Sequence, residues 1–307
     1  IACLKNDFRD AIYLIEKSII KNYHSHSARH LKTAVLRKSG RRDDAIQLIN
    51  ESLAIDRFNY GCLFEQYLLL EQTNDSKQSN KRLNEFTTLI RNSFNNYIEY
   101  ALDYAKAGMY EEAIRLLKVY EDLGNVDTPL LYYYLGWFYF KLNKNEIANK
   151  YYKKAAAFAP DYCFPNKIED MMALGIALRL NPGDSKAFYY LGNYWFANRQ
   201  YEDAVICWEK SISLNDQFPT ALRNLSLAYY NKLKKYDESI SLLEKAFELD
   251  ETDARVLMEL DQLYKIQNYS HQQRLTLLEK HLDLIEQRDD LYLERVTLYN
   301  QTGNYEK

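Results

Sequence analysis

The sequence predicts an all-α chain of stacked helix–turn–helix repeats, an α-solenoid coiled as a right-handed superhelix and interrupted by one half-repeat. Three observations carry that prediction. Bulky and small residues recur at helical spacing with a period of 34 residues, as where Ala45 follows Ala11. Glycine and proline number only 9 and 5 in 307 residues, too few for the many turns of a β-rich fold. Those few breakers also keep register: the prolines fall between helices or in one hook, and Gly40, Gly108 and Gly303 occupy the same inter-helix turn.

In order along the chain, residues 1–4 read as the end of a helix, and Asp7 opens the next, with Ala11 its small position and Ile15 its bulky one. Residues 41–45 open an equivalent helix behind Gly40. The following period is degenerate: Leu63, Tyr67 and Leu70 keep a first helix, and Ser79, Leu83 and Phe86 a second, joined by the polar loop 71–76. Tyr97, Ala101, Tyr104, Gly108 and Ala113 then restore the pattern. Tyr132, Leu135, Gly136, Tyr139, Ala148, Tyr152, Ala155 and Pro160 fill every position of the next unit.

Between Pro160 and Pro182 there is room for one helix, expected over 166–180 behind a hook at 161–165. This is a half-repeat that lacks its first helix, with Asp170 at the small position. Residues 185–216 form the best unit. Phe188, Leu191, Gly192 and Trp195 share one helix face, Ala204 is the small partner on the second helix, and Trp208 packs between the helices. Leu222, Leu225, Tyr229, Ser239, Leu243 and Ala246 follow, with one extra residue in the turn at 232–235. Leu257, Leu260 and Tyr264 start a unit whose second helix, expected over 270–284, lacks the small residue. Tyr292, Val296, Tyr299, Gly303 and Tyr305 begin a last unit that stops before its Ala. The expected organisation is thus 1–160, N-terminal repeats with the first truncated; 161–183, the half-repeat; and 184–307, C-terminal repeats with the last truncated.

This spacing of aromatic, Leu-Gly, aromatic, small and aromatic positions resembles the tetratricopeptide repeat (TPR) family over essentially the whole chain. The stretches DYCFPNKIEDM, NPGDSKAFYYLGNYWFANRQYEDAVICWEKSISL, FPTALRNLSLAYYNK and DARVLMELDQLYK also resemble the C-terminal part of a family of large bacterial proteins. That resemblance implies a parent protein whose N-terminal portion is a sugar-epimerase-like β-sandwich, linked to carbohydrate metabolism.

Composition narrows the function classes. A net charge of −3 offers no basic footprint for nucleic acid. No apolar run reaches the roughly 18 residues of a membrane helix. Cys3, Cys62, Cys163 and Cys207 form no CxxC pair, which argues for thiols in a helical core rather than zinc or disulfides. The chain starts at Ile1 without Met, so the natural N-terminus is expected to be missing, leaving localisation open with the cytoplasm favoured. Tyr is abundant at 28 residues, suited either to helix packing or to a wet binding surface.

First helices of stacked repeats line a concave groove, so their inner faces form the expected binding surface. In this register those positions are Tyr133, Trp137 and Phe140, then Tyr189, Asn193 and Phe196, then Arg223, Tyr230 and Asn231. Exposed aromatics interleaved with Asn and Arg suit an extended peptide; the alternative is that these rings pack against neighbouring helices. The resemblance to TPR domains that clamp a C-terminal carboxylate is incomplete, because Tyr189 stands where their Lys would be. His24, His26 and His30 read as surface histidines at a turn rather than metal ligands, and the acidic pairs Asp43-Asp44 and Glu111-Glu112 as helix starts. With no phosphate loop, nucleophile elbow or HExxH, the reading is a non-catalytic scaffold without cofactor or metal. Its partner is a peptide or the parent protein's own N-terminal domain. The competing reading is an accessory repeat domain of a bacterial carbohydrate-active enzyme whose catalytic part lies outside this sequence. RNA binding fits poorly with the acidic balance.

Overall fold

The structure, a computed structural model, describes residues 7–305 apart from 74, 92, 161 and 162. The expected helix end at 1–4, Cys3, part of the hook and Glu306 therefore lie outside the described residues. All regular structure among the described residues is helical, and the chain divides into two compact units, 1–163 and 164–307.

The first unit contains α1 (Phe8–Lys21), α2 (His26–Lys38), α3 (Arg42–Ile55), α4 (Tyr60–Glu71), α5 (Ser76–Ile90), α6 (Phe94–Lys106), α7 (Tyr110–Asp122), α8 (Leu130–Lys141) and α9 (Asn145–Ala157). The second contains α10 (Ile168–Leu180), α11 (Ser185–Ala197), α12 (Tyr201–Leu214), α13 (Pro219–Ala228), α14 (Tyr236–Leu249), α15 (Ala254–Ile266), α16 (His271–Glu279), α17 (Leu282–Ile285) and α18 (Asp289–Gln301). Short polar residues start many of them. The side chains of Asp7, Ser25, Asn59, Asp75, Asp184, Asp253 and Ser270 each accept a backbone N–H of the first turn that would otherwise lack a partner.

The inter-helix turn is built once and reused. Gly40, Gly108 and Gly303 are left-handed, with φ of 76°, 83° and 77°, and Asn143, Arg199 and Asn268 take the same conformation without being glycine. The residue after each donates its N–H five residues back, as from Arg41 to Leu36 O (2.9 Å), Gln200 to Trp195 O (2.9 Å) and Tyr269 to Tyr264 O (2.9 Å). This is the Schellman closure of a helix end. The extra residue near 232–235 is absorbed by one π-helical turn, Tyr229–Leu233. There Lys234 is the left-handed residue and Lys235 N reaches six residues back to Tyr229 O at 3.1 Å.

Among the described residues, close approach of the two helices of one repeat depends on glycine at two places. A Cβ on Gly192 would meet the Trp208 ring at 2.5 Å, and one on Gly136 the Tyr152 ring at 2.4 Å. Ala204 and Ala148, the expected small partners, are fully buried beside them, while the notch itself is filled by the aromatic ring one turn further on.

Two elements differ from expectation. The helix expected over 166–180 begins at Ile168, because Asp170 caps it: its carboxylate accepts the backbone N–H groups of Asn166 and Lys167, both at 2.8 Å. Asp170 at a small position is therefore a capping residue turned back onto its own helix start. The single helix expected over 270–284 is two, α16 and α17, broken at Lys280–His281 so that Leu284 and Ile285 join the apolar core with Leu278 and Leu298. The missing small residue of that helix is Arg274, which is buried in an ion pair with Asp261.

Candidate functional site

The candidate surface is the face of the first helices, and each unit presents its own. In the second unit it is carried by α11, α13 and α15. Gly192 lets Trp208 reach through from α12, where its Nε1 donates to Tyr189 O and to Asn193 Oδ1, both at 3.2 Å. Asn193 Oδ1 also accepts from Asn224 Nδ2 at 3.2 Å. Arg223, next in sequence to Asn224, donates through Nε to Glu259 Oε2 at 2.7 Å and through a second nitrogen to Glu259 Oε1. A polar ladder thus runs Trp208, Asn193, Asn224, Arg223, Glu259 across successive first helices. Asn193 is held by its oxygen, which aims its Nδ2 donors away from Trp208, and among the described residues no acceptor meets them.

The nine predicted positions separate sharply by burial. Tyr133, Trp137 and Tyr189 are core residues, 0%, 5% and 6% exposed, so the expectation that they line an open groove is corrected. Tyr189 packs on Phe218 with ring centroids 4.8 Å apart, and Trp137 lies 5.4 Å from Phe138 and 6.0 Å from Tyr134. The physical reason is the density of rings: neighbouring aromatics on adjacent helices cover positions that a smaller residue would leave open. Phe140, Asn193, Phe196, Arg223 and Tyr230 are half-buried, and Asn231 is exposed. Phe196 rests on Trp208 (5.4 Å) and Tyr201 (5.1 Å), and Tyr230 on Tyr236 (5.2 Å), each leaving part of its ring to solvent. The Arg223 guanidinium is committed to Glu259, which balances its charge, and the Asn231 amide spends one N–H on Leu227 O of its own helix at 2.9 Å.

In the first unit the corresponding face is carried by α2, α4 and α6. Behind it lies an ion network that spacing alone did not reveal. Arg37 donates to Glu65 through Nε at 2.6 Å and to Glu112 at 3.1 Å, Lys38 adds 2.8 Å to Glu112, and Tyr104 donates its hydroxyl to Glu65 at 2.5 Å. Glu65 is fully buried, and Glu112, read from sequence as half of a helix-start pair, is buried within this network while Glu111 is exposed. Burial works against ionisation of Glu112, but Lys38 and Arg37 more than offset it and hold its carboxyl below the usual range. Two cations and two carboxylates balance here and tie α2 to α4 and α7.

The histidines also differ from expectation. His24 is exposed and His26 pairs with Asp56 at 3.2 Å, but His30 is completely buried. It fills the space left by Gly61, whose Cβ would meet its ring at 2.3 Å, and stands edge-on to Tyr104 at 4.3 Å. Among the described residues no group of three or more His, Cys, Asp or Glu is arranged to hold a metal ion. Cys62 and Cys207 are buried thiols whose pKa burial pushes up to about 11. No described helix is long and apolar enough to cross a membrane.

Three segments match family models described as tetratricopeptide repeat: residues 130–162, 185–218 and 221–253. Among solved structures, the chain is similar to yeast Tom70 at 16% identity, covering 96% of this chain and 59% of that one, with a TM-score of 0.40. It is similar to the APC/C hetero-tetramer Cut9-Hcn1 at 18% identity, covering 95% of this chain and 52% of that one, at 0.37. MamA from Desulfovibrio magneticus RS-1 is 20% identical over 63% of this chain and 95% of that one, at 0.36. The chain spans about half the length of the Cut9-Hcn1 chain. No curated protein matches it.

Proposed function

Because this chain is a tetratricopeptide repeat protein, we propose that it is a non-catalytic interaction scaffold that holds an extended peptide, or a segment of its parent protein's N-terminal part, across its first helices. The observation that carries this reading is the polar ladder of the second unit. Asn193 is fixed by two donors to its oxygen and keeps its own N–H groups for a partner. An extended peptide presents backbone carbonyls along its length, and an amide held in place before binding loses little entropy in meeting one. Half-exposed Phe196 and Tyr230 flank the ladder and supply ring area at low entropic cost. Arg223 and Glu259, locked on one another, keep α13 and α15 in register behind it.

The test is to select peptides from a random displayed library on the whole chain and to measure their affinity for Phe196→Ala and Tyr230→Ala. Helix content and melting are checked alongside. The expected result is at least tenfold weaker binding by each folded variant. Unchanged affinity in folded variants would remove the ladder face as the binding surface.

A further inference from the structure

The face of α2, α4 and α6 in the first unit holds a pocket of about 360 Å³. Its chemistry is one-sided. Glu99 and Asp103 bring two carboxylates, and Asn96, which spends one N–H of its Nδ2 on Ile90 O at 2.7 Å, adds an acceptor oxygen. Tyr60 and Tyr100 form an aromatic corner, their ring centroids 5.9 Å apart and their planes at 75°. Of the donors at the rim, His26 is engaged by Asp56 at 3.2 Å and the Ser27 hydroxyl by Asp103.

Behind the corner stands His30, fully buried, with neither ring nitrogen in a hydrogen bond. Its Nδ1 faces Asp103 Oδ2 at 3.9 Å, beyond hydrogen-bond length. The carboxylate accepts from the Ser27 hydroxyl and has lone pairs left for a further donor, and it is ionised: burial works against it, but His30, Ser27 and Lys106 hold its carboxyl below the usual range.

We propose that this pocket takes the side chain of an arginine or lysine from the bound partner. The inference rests on the scaffold reading above and adds the chemistry of one partner residue. A guanidinium donates five N–H groups to acceptors and stacks on aromatic faces, and an ammonium ion satisfies the same set as a point charge. A carboxylate would meet Glu99 and Asp103 with repulsion. A neutral amide would gain neither charge-assisted hydrogen bonds nor attraction to the rings.

The experiment adds N-acetyl-arginine methylamide, N-acetyl-lysine methylamide and N-acetyl-citrulline methylamide to the whole chain and follows backbone amide resonances by NMR. The cationic probes are expected to shift resonances in α4 and α6 saturably, and the uncharged citrulline probe to leave them in place. Glu99→Gln, at an exposed carboxylate, should weaken binding at least threefold, and Asp103→Asn at least tenfold. If Asp103→Asn disturbs the helices, the Glu99 variant alone decides. Equal shifts from arginine and citrulline, or cationic binding indifferent to both substitutions, would overturn the proposal. Because single-residue probes report on this pocket alone, its failure is distinct from a failure of peptide binding at Phe196 and Tyr230.

Discussion

Asp261 and Arg274 form a buried bidentate ion pair, with contacts of 3.0 and 2.7 Å, at the two positions where an earlier repeat brings together Gly192 and Ala204. Each pair comprises the eighth residue of a first helix and the fourth of the helix that follows. Between them in the chain, Ser226 and Ser239 occupy the same two positions and exchange hydroxyl bonds of 2.7 and 2.9 Å with each other's carbonyls. One helix crossing is therefore closed in three ways along the second unit: by a small pair with the Trp208 ring in the notch, by paired hydroxyls and by paired charges.

Asp261→Ala leaves Arg274 buried with only the half-buried Glu294, 2.6 Å away, to balance it. Breaking one side of a buried pair costs about 3–5 kcal/mol, and the remaining Glu294 places the expected loss near ~3 kcal/mol. Urea unfolding measures it. A loss below about 1 kcal/mol, the scale of an exposed ion pair, would show that the crossing does not depend on the charges.

The repeat register was legible because it is written in side-chain size at helical spacing, and size at a helix crossing is dictated by backbone approach. Ala45, Ala113, Ala148 and Ala204 could be aligned by eye, and all are fully buried. The Asp261–Arg274 crossing was not legible, because either residue alone reads as a departure and only their alignment with Gly192 and Ala204 shows a substitution in pairs. The candidate face was legible in part. Spacing assigns a residue to one side of its helix, and Asn193 and Phe196 lie half-buried on α11, but it does not report how closely neighbouring rings pack, which is what buries Tyr133, Trp137 and Tyr189. His30 carried no signal at all, since its environment comes from Gly61, Tyr104 and Asp103 in other helices.

Gly192→Ala and Gly175→Ala should act in opposite directions. At Gly192 the new methyl meets the Trp208 ring at 2.5 Å, and Trp208 is itself tied to Tyr189 and Asn193, so overpacking is expected to cost about 1–3 kcal/mol. Gly175 lies inside α10 with nothing within 4 Å of its added Cβ, so the gain in helix propensity should stabilise by about 0.5–1 kcal/mol. Thermal melting of both variants distinguishes them, and a shift of the same sign in both would refute the role given to the Trp208 contact.

Tyr229, Tyr264 and Tyr299 each donate a hydroxyl at 2.5 Å to a glutamate 20 residues earlier, Glu209, Glu244 and Glu279. The bond joins the end of each first helix to the second helix of the preceding repeat, and it recurs because both partners recur. Tyr264→Phe keeps the ring and deletes the bond. A hydrogen bond to a charged group contributes about 1.5–3 kcal/mol, and partial exposure of this one sets the expected loss near ~1.5 kcal/mol. Denaturant midpoints of Tyr264→Phe against Tyr236→Phe, whose hydroxyl stands on an exposed residue, isolate the bond. Equal midpoints would show that it contributes nothing.

Two buried carboxylates should pull the stability of the chain in opposite directions as pH falls. Burial raises Asp261 above its ordinary value of 3.8 despite the Arg274 pair, whereas Glu112 lies below its ordinary 4.5 because Lys38 and Arg37 outweigh burial. For Glu112 the unfolded chain takes up its proton first, so its contribution is present above the unfolded value and is lost as pH drops through the folded one. For Asp261 the folded chain takes up the proton first, so acidification towards 3.8 favours folding at that site. Urea midpoints between pH 7 and pH 3 should therefore fall less steeply in Glu112→Gln than in the parent chain, and more steeply in Asp261→Asn. Because the two sites lie in separate units and share no partner, the two changes in slope should add. Parallel curves for all three proteins would show that neither carboxylate is linked to folding.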